Sequence, residues 1–293
     1  MISLIVPTYN RAYALKQVLD TFFTQEKVNE IVFIDDASSD DTSDVVQAFV
    51  TKYPTIKVVY HRNLKKSGAS FSRLKGVELA TNEYILFCDD DEFIGNSYAR
   101  ICLEKILSGK ADIASGRHFY RDVNENYVDA IKRFKVGLKH GTVFRKICFK
   151  LDTDTIFYGD IFVPFTHGIF LTSKKLLLTY PIDPFYSKGN GFREESDFQV
   201  NAFLHNNKVL ISNDCHCVHM NMKEVKTGGQ RVNRLVRFYW SILYTHYFLK
   251  KYYEGLRTKL GIPYPFFVAM ILYIGCEFYN FFLRPFVILA RKL

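Results

Sequence analysis

Carboxylates gather at three places in the chain where a buried run or a glycine-rich loop has just ended. Asp35-Asp36 follows Glu30-Ile31-Val32-Phe33-Ile34, Asp89-Asp90-Asp91-Glu92 follows Tyr84-Ile85-Leu86-Phe87-Cys88, and Glu194-Glu195-Ser196-Asp197 follows a loop opened by Gly189. Four adjacent negative charges at the end of a buried strand repel one another and are costly to desolvate unless a cation collects them. Hard divalent ions such as Mg²⁺ and Mn²⁺ suit carboxylate oxygens and complete their shell with water and a substrate's phosphates. The competing reading is a solvated acidic turn that caps the next helix. At residues 194–197 helix chemistry alone accounts for the charges, because acids favour a first helical turn. Cys215-His216-Cys217-Val218-His219 invites a zinc reading. Strand alternation puts Cys215, Cys217 and His219 on one face, but no second ligand pair sits at a usual distance, so structural zinc is not expected.

The elements that position these groups alternate. Ile2-Ser3-Leu4-Ile5-Val6 reads as a buried strand, and Ala14-Leu15, Val18-Leu19 and Phe22-Phe23 recur at helical spacing after it. The strand at 30–34 leads through Ala37-Ser38-Ser39-Asp40-Asp41-Thr42, rich in capping residues, into a helix through Val45, Val46 and Phe49. Residues 56–60 form a third strand, residues 70–80 a helix, and residues 84–88 the central strand. Such alternation means βαβ units and a mostly parallel sheet. Ligands of such sheets bind beyond the carboxyl ends of the strands. Those ends are Pro7-Thr8-Tyr9, Asp35-Asp36, His61-Arg62-Asn63 and Asp89-Asp90-Asp91, so polar and acidic groups converge on one edge. An accidental acidic turn does not explain that convergence; a metal–phosphate site does. The glycine-rich phosphate loops of dinucleotide-binding folds and of P-loop kinases are missing, which disfavours both classes.

The motifs Val6-Pro7-Thr8-Tyr9-Asn10-Arg11, Asp35-Asp36-Ala37-Ser38-Ser39-Asp40-Asp41-Thr42, Gly68…Arg73-Leu74-Lys75-Gly76 and Phe87-Cys88-Asp89-Asp90-Asp91 occur in the order and spacing of family-2 glycosyltransferases. The chain resembles that family closely over about residues 1–120 and more loosely to about 230. The resemblance implies a GT-A fold and inverting transfer of a sugar from a nucleotide-diphosphate donor, foremost a UDP-sugar. It further implies that Pro7, Tyr9 and Asp36 hold the nucleoside, with Arg11, Arg73 and Asp90 also on the donor side. Leu74 stands where the family's arginine segment carries asparagine. Asp89 and Asp91 match the D-x-D pair that binds Mn²⁺ or Mg²⁺, and His219, ahead of Gly228-Gly229, matches a histidine facing the metal and diphosphate. A transferase of this kind needs a general base for the acceptor hydroxyl. The family's acidic loop–helix junction aligns that base with Glu195, leaving Asp197 as second choice and Glu194 beside them. Residues 163–171 resemble the strand facing the acceptor, where His167 either touches substrate or is a satisfied core histidine. Residues 117–150 match no assignable element.

Charge divides the chain unevenly. Residues 1–222 hold 27 Lys and Arg against 27 Asp and Glu, whereas 223–293 hold 12 against 3, so the whole net charge of +9 lies in the last 71 residues. Residues 235–293 also carry seventeen aromatics. The longest unbroken apolar run there, 266–276, has eleven residues, short of the ~20 a spanning helix needs. Glu277, Asn280 and Arg284 share a helical face. This reads as a basic-aromatic surface lying in a membrane interface, with a true span and a plain core-packing helix pair as alternatives. Six scattered cysteines suit reduced thiols, and no secretory signal is read before Ile2.

The expectation is therefore an α/β, GT-A type, Rossmann-like, mostly parallel sheet flanked by helices over 1–230, followed by a helical membrane-associating region over 231–293. The expected activity is sugar transfer to a glycan or lipid-linked hydroxyl acceptor at the cytoplasmic face of a membrane, with no nucleic-acid partner. A sugar-nucleotide nucleotidyltransferase and a catalytically silent glycan- or membrane-binding scaffold are the rivals.

Overall fold

The computed structural model describes residues 1–134, 137–189, 191–227 and 233–284. The chain opens with β1 (Ile2–Thr8), α1 (Ala12–Phe23), β2 (Val28–Asp35), α2 (Thr42–Lys52), β3 (Lys57–Arg62), α3 (Ala69–Leu79) and β4 (Tyr84–Phe87). A short strand β5 (Glu92–Ile94), α4 (Tyr98–Leu107), β6 (Ile113–Tyr120) and α5 (Tyr127–Phe134) follow. Next come a small hairpin of β7 (Phe144–Arg145) and β8 (Lys150–Leu151), then β9 (Ile161–Phe162), β10 (Phe170–Ser173) and α6 (Lys174–Thr179). The last elements are α7 (Glu194–Leu204), β11 (Val209–His219), α8 (Arg234–Leu260) and α9 (Phe266–Phe278).

Among the described residues, nine strands form one sheet in the order β3-β2-β1-β4-β10-β6-β11-β5, with β9 also on β11. The first four are mutually parallel, and β6 and β11 run parallel to each other; β10, β5 and β9 pair antiparallel to their neighbours. Alternation along the parallel strands sends Leu4, Val6, Ile31 and Phe33 into one core and Ile5, Val32 and Ile34 into the other. Helices α1, α2 and α4 close the first face. On the second face, α3, α6 and α7 are joined by α8 and α9, which contribute Phe248, Leu249, Leu256, Ala269 and Met270 to the same core as Phe87 and Phe198.

The structure adds detail in three places. Residues 163–169, read as strand, are loop; the strand is Phe170–Ser173, and Thr166 N–H donates to Gln199 Oε1 instead of to a sheet neighbour. Residues 209–219 form one strand, β11, whose register against β6 jumps between Ile211 and His216. Residues 117–150, unassigned from sequence, hold the end of β6, α5 and the start of the β7–β8 hairpin.

The C-terminal helices turn Glu277 toward the protein. Glu277 does not face outward with Arg284: it is 1% exposed, pairs with Lys150 and accepts from Ser241 Oγ at 2.5 Å. The outward face of α9 is instead apolar, with Phe267, Ile271, Ile274 and Phe278 exposed. Residues Phe266–Leu283 form a helical stretch of 18 residues with mean hydropathy 1.7, long and apolar enough to cross a membrane by length and composition.

Candidate active site

The carboxyl ends of β1, β2 and β4 meet the N-terminus of α7 around a cavity of about 670 Å³. Pro7, Tyr9, Arg11, Asp36, Arg73, Asp89, Asp90, Asp91, His167, Glu194, Glu195 and His219, singled out from sequence, all line it. Asp197 does not. Its carboxylate, 2% exposed, is taken up by Tyr186 Oη at 2.8 Å, Tyr252 Oη at 2.9 Å and Lys251 Nζ at 2.8 Å. That side chain fastens α7 to α8 and has no lone pair left for an acceptor, so the second-choice catalytic role is not what its geometry serves.

The β1–β2 side of the cavity is held by backbone and short polar side chains. Asp36 accepts from Asn63 Nδ2 at 2.8 Å and from the backbone N–H groups of Ser67 and Gly68 at 2.7 and 2.9 Å, which draws the 63–68 loop over the β2 end. Gly68 is needed there: its φ is +92°, and a Cβ would lie 2.1 Å from the Ser187 carbonyl oxygen. The Tyr9 ring lies under Lys66 Nζ, 4.0 Å from the centroid.

The acidic strand end is divided between two arginines. Buried Arg11 binds Asp91 Oδ2 at 2.8 Å and lies 3.6 Å from Asp90, whose other oxygen accepts from Thr8 Oγ1 at 2.7 Å. Burial pushes the Asp90 carboxyl up to about 7; Arg11 opposes the rise and Asp91 adds to it. Asp89 turns away to Arg73 Nη2 at 2.6 Å. Arg73, itself 2% exposed, also contacts Glu194 and lies 3.3 Å from Glu195.

Glu195 has the features of a base. Its side chain is 23% exposed in the cavity, and burial raises its pKa, with Arg73 opposing and nearby Asp89 assisting. Arg193 precedes it in the left-handed conformation at φ 78°, an uncommon backbone state for that residue, and delivers Glu194 and Glu195 together to the first turn of α7. Glu194 is buried against Ser70 and Arg73 and serves as Arg73's counter-charge. Gly168 keeps the approach open, since a Cβ there would sit 2.9 Å from Glu195 Oε1 and 3.5 Å from Asp89 Oδ2.

The histidines differ. His167 is internally satisfied, with Nε2 on the Gly116 carbonyl at 2.9 Å and Nδ1 accepting from Ile169 N–H at 3.2 Å; burial holds its pKa down to about 3. His219 Nδ1 bonds the Met220 carbonyl at 2.5 Å, leaving Nε2 3.5 Å from Asp91 Oδ1. Burial works against its protonation, but Asp91 and Glu92 outweigh it and raise the pKa. Carboxylate oxygens suit Mn²⁺ or Mg²⁺, and an imidazole nitrogen beside them favours Mn²⁺ of the two. Gly228 and Gly229, read as part of this loop, lie outside the described residues.

Sequence reasoning missed Lys66, Lys150, Phe192 and Arg193 on the cavity wall and the buried pair Glu92–His118 at 2.8 Å. Glu92 stood in the acidic run and had a signal; Lys150 reaches the cavity, and His118 reaches Glu92, only through tertiary pairing.

A family model described as Glycosyl transferase family 2 matches residues 3–176. The poly(ribitol-phosphate) beta-glucosyltransferase of Bacillus spizizenii is 26% identical over 235 residues, covering 79% of this chain and 33% of that enzyme's own length. Staphylococcus aureus TarS 1-349, solved in complex with UDP-GlcNAc, superposes with a TM-score of 0.60 at 16% identity over 96% of this chain and 81% of that one. GalNAc-T7, solved with UDP, GalNAc and Mn²⁺, gives 0.61 at 14% identity over 85% and 50%. These likenesses establish the GT-A fold.

Proposed function

Because the chain belongs to glycosyl transferase family 2, we propose that it catalyses inverting, metal-dependent transfer of a sugar from a nucleotide-diphosphate donor to a hydroxyl of a glycan or lipid-linked acceptor. The observation that carries this reading is the meeting, in one cavity, of a donor edge at the β1, β2 and β4 ends with a raised-pKa carboxylate, Glu195, on the facing helix. Tyr9 offers a stacking face and Asp36 an acceptor for the nucleoside. A UDP-sugar is the favoured donor, in line with the UDP-GlcNAc named for TarS.

Asp91 and His219 are the residues suited to a Mn²⁺ or Mg²⁺ ion. Such an ion supplies charge neutralisation at the leaving diphosphate. Glu195 removes the acceptor proton as the acceptor oxygen forms its bond to the anomeric carbon. The anomeric carbon–oxygen bond to phosphate breaks, and the nucleoside diphosphate leaves with the electron pair. Arg73 holds Glu195 and Asp89 at fixed separation and keeps Glu195 from being protonated too readily.

The poly(ribitol-phosphate) named for the Bacillus relative supports a surface-polymer acceptor. The exposed apolar row on α9 supports attachment to the cytoplasmic face of a membrane, peripheral or monotopic. A panel of nucleotide sugars screened by thermal shift with and without Mn²⁺ tests the central claim. A stabilisation by one or more UDP-sugars that needs the metal is expected; none from any nucleotide sugar refutes it.

A further inference from the structure

The charges of the cavity are segregated. Asp89, Glu194 and Glu195 gather around Arg73. None of them pairs with two other cations of the wall, Lys150 of β8 and Arg193 at the start of α7. We infer that Lys150 and Arg193 form an anion subsite on the acceptor side, so that the acceptor carries a phosphate or carboxylate close to the hydroxyl that receives the sugar. The inference rests on the sugar-transfer reading and names the chemical class of its acceptor.

Arg193 is 4% exposed, and no carboxylate among the described residues pairs with it. Its Nη1 donates to the Phe149 carbonyl at 2.6 Å and its Nε to Thr245 Oγ1 at 3.2 Å, while Nη2, buried, has no hydrogen-bond partner. Both acceptors are neutral. Four rings surround the guanidinium, with centroids at 4.9 Å for Phe192, 5.3 Å for Phe248 and 5.7 Å for Phe165 and Tyr273. Ring faces attract a cation without neutralising it. A buried charge left in this state is costly, and an anion nearby relieves the cost.

Lys150 supplies the contact. Its Nζ lies 6.0 Å from the Phe192 centroid and 5.9 Å from that of Tyr273, two of the rings that hold Arg193, so the two cations are neighbours. Lys150 pairs with Oε1 of Glu277, whose Oε2 accepts from Ser241 Oγ at 2.5 Å. Two cations and one carboxylate leave one positive charge uncompensated. The Lys150 side chain is 31% exposed, and among the described residues its ammonium bonds Glu277 alone, so N–H groups remain for a ligand in the cavity. Arg193 stays beneath and acts through its field. It also precedes Glu195 by two residues, so an anion held here lies on the wall that carries the proposed base, not on the donor edge of β1, β2 and β4.

Glucose, glucose 6-phosphate and glucuronate differ only in the group at C6: neutral, phosphate or carboxylate. Their binding to the full chain saturated with UDP and Mg²⁺ is measured by ligand-observed NMR. At least one of the two anions is expected to bind about 10-fold or more tightly than glucose, because a hydrogen bond to a charged group contributes a factor of that order. Which anion does so tells phosphate from carboxylate. Lys150→Met is expected to erase the preference while leaving UDP affinity within about twofold of wild type, as its removal takes one charge-assisted bond from the acceptor side only. Glu277→Gln retains an acceptor for Ser241 but frees Lys150 from its counter-charge. It should tighten the anion by roughly 2- to 5-fold, the contribution of one partly exposed ion pair, which a merely structural Lys150 would not produce. Should Lys150→Met fail to fold with Glu277 left unpaired, Lys150→Met combined with Glu277→Gln removes both charges and is expected to lose the preference too. Anions that bind no better than glucose, or a preference that survives the loss of Lys150, overturn the inference and leave sugar transfer standing. A Lys150→Met variant that loses UDP overturns it by assigning the lysine to the donor. A wild type that does not bind UDP takes the transfer reading down as well.

Discussion

The two walls of the cavity are built on different plans. The donor wall is made of strand ends: most of its residues sit at, or within a few positions of, a strand end, and their partners come from neighbouring strand ends, as with Thr8 on Asp90 and Arg11 on Asp91. The acceptor wall is assembled from helices and loops that pack onto one another. Lys150 of β8 reaches Glu277 of α9, Asp197 of α7 binds Lys251 and Tyr252 of α8, and Tyr244 of α8 binds the Lys188 carbonyl. A parallel sheet delivers its carboxyl ends to one edge whatever lies outside it, so the donor wall follows from the fold. The acceptor wall depends on helices that have to dock first.

The sharpest break in that comparison is chemical. Glu195→Gln keeps the shape of the acceptor wall and removes its proposed base, so kcat should fall ~10²–10⁴-fold with donor affinity unchanged. Stopped assays with calorimetric donor titration measure both, and a parallel loss of donor affinity would mean that the walls are not separable.

Next in size is the outer face of the docked helices. Phe267→Ser with Ile271→Ser removes two exposed apolar side chains from α9. Partitioning onto anionic liposomes should drop ~10–100-fold, given ~1.5–3 kcal/mol for each side chain when fully buried and less at an interface. Sugar transfer to a soluble acceptor analogue should be unaffected. Flotation at low and high salt reads the result; a double variant that floats like the wild type sinks the membrane assignment.

Removing one tie of the acceptor wall should have a smaller effect. Lys251→Met leaves Asp197 with two phenol donors but no cation, a loss of about 1–3 kcal/mol that lowers Tm by roughly 2–10 °C. Because α7 carries Glu195, turnover should fall with stability while UDP binding holds. A loss of UDP binding in a folded variant would show that the donor wall also leans on α8.

The smallest effect is a matter of pH. In its proposed role Glu195 must be ionised, and its pKa is raised by burial, so kcat should climb with pH through an acid limb lying above the ordinary glutamate value of about 4.3. In Glu195→Asp the limb should persist, and in Glu195→Gln it should vanish from the residual rate. A limb unchanged in the Gln variant would belong to another group, with Asp90, pushed up to about 7, the first to examine.

Legibility followed the same division. The strands at 2–6, 30–34, 56–60 and 84–88 could be read from apolar runs ended by turn residues, and the acids at their ends located the site, because burial on both faces leaves a parallel strand no polar positions except its ends. Glu195 could be named as the candidate base only through the family's motif; composition alone makes it a first-turn acid. Asp197 was misread since its spacing is that of a catalytic neighbour, whereas its partners lie 11, 54 and 55 residues away. Glu277 was misread since an isolated amphipathic pattern does not say which face meets protein. Here Lys150 and Ser241 supplied a buried polar socket, and the apolar face was left outside.

By itself the sequence determined the alternating architecture, the edge on which ligands gather and the identity of the charged groups there, because strand burial and side-chain alternation are local properties of the chain. Tertiary structure alone decided how those charges are shared. It set Asp89 against Arg73 and Asp91 against Arg11 and His219, left one oxygen of Glu92 unpartnered, and turned α9 inside out relative to its apparent amphipathicity. The reason is that a charge finds its partner by distance in space, and in this fold the nearest opposite charge is often a hundred residues away along the chain.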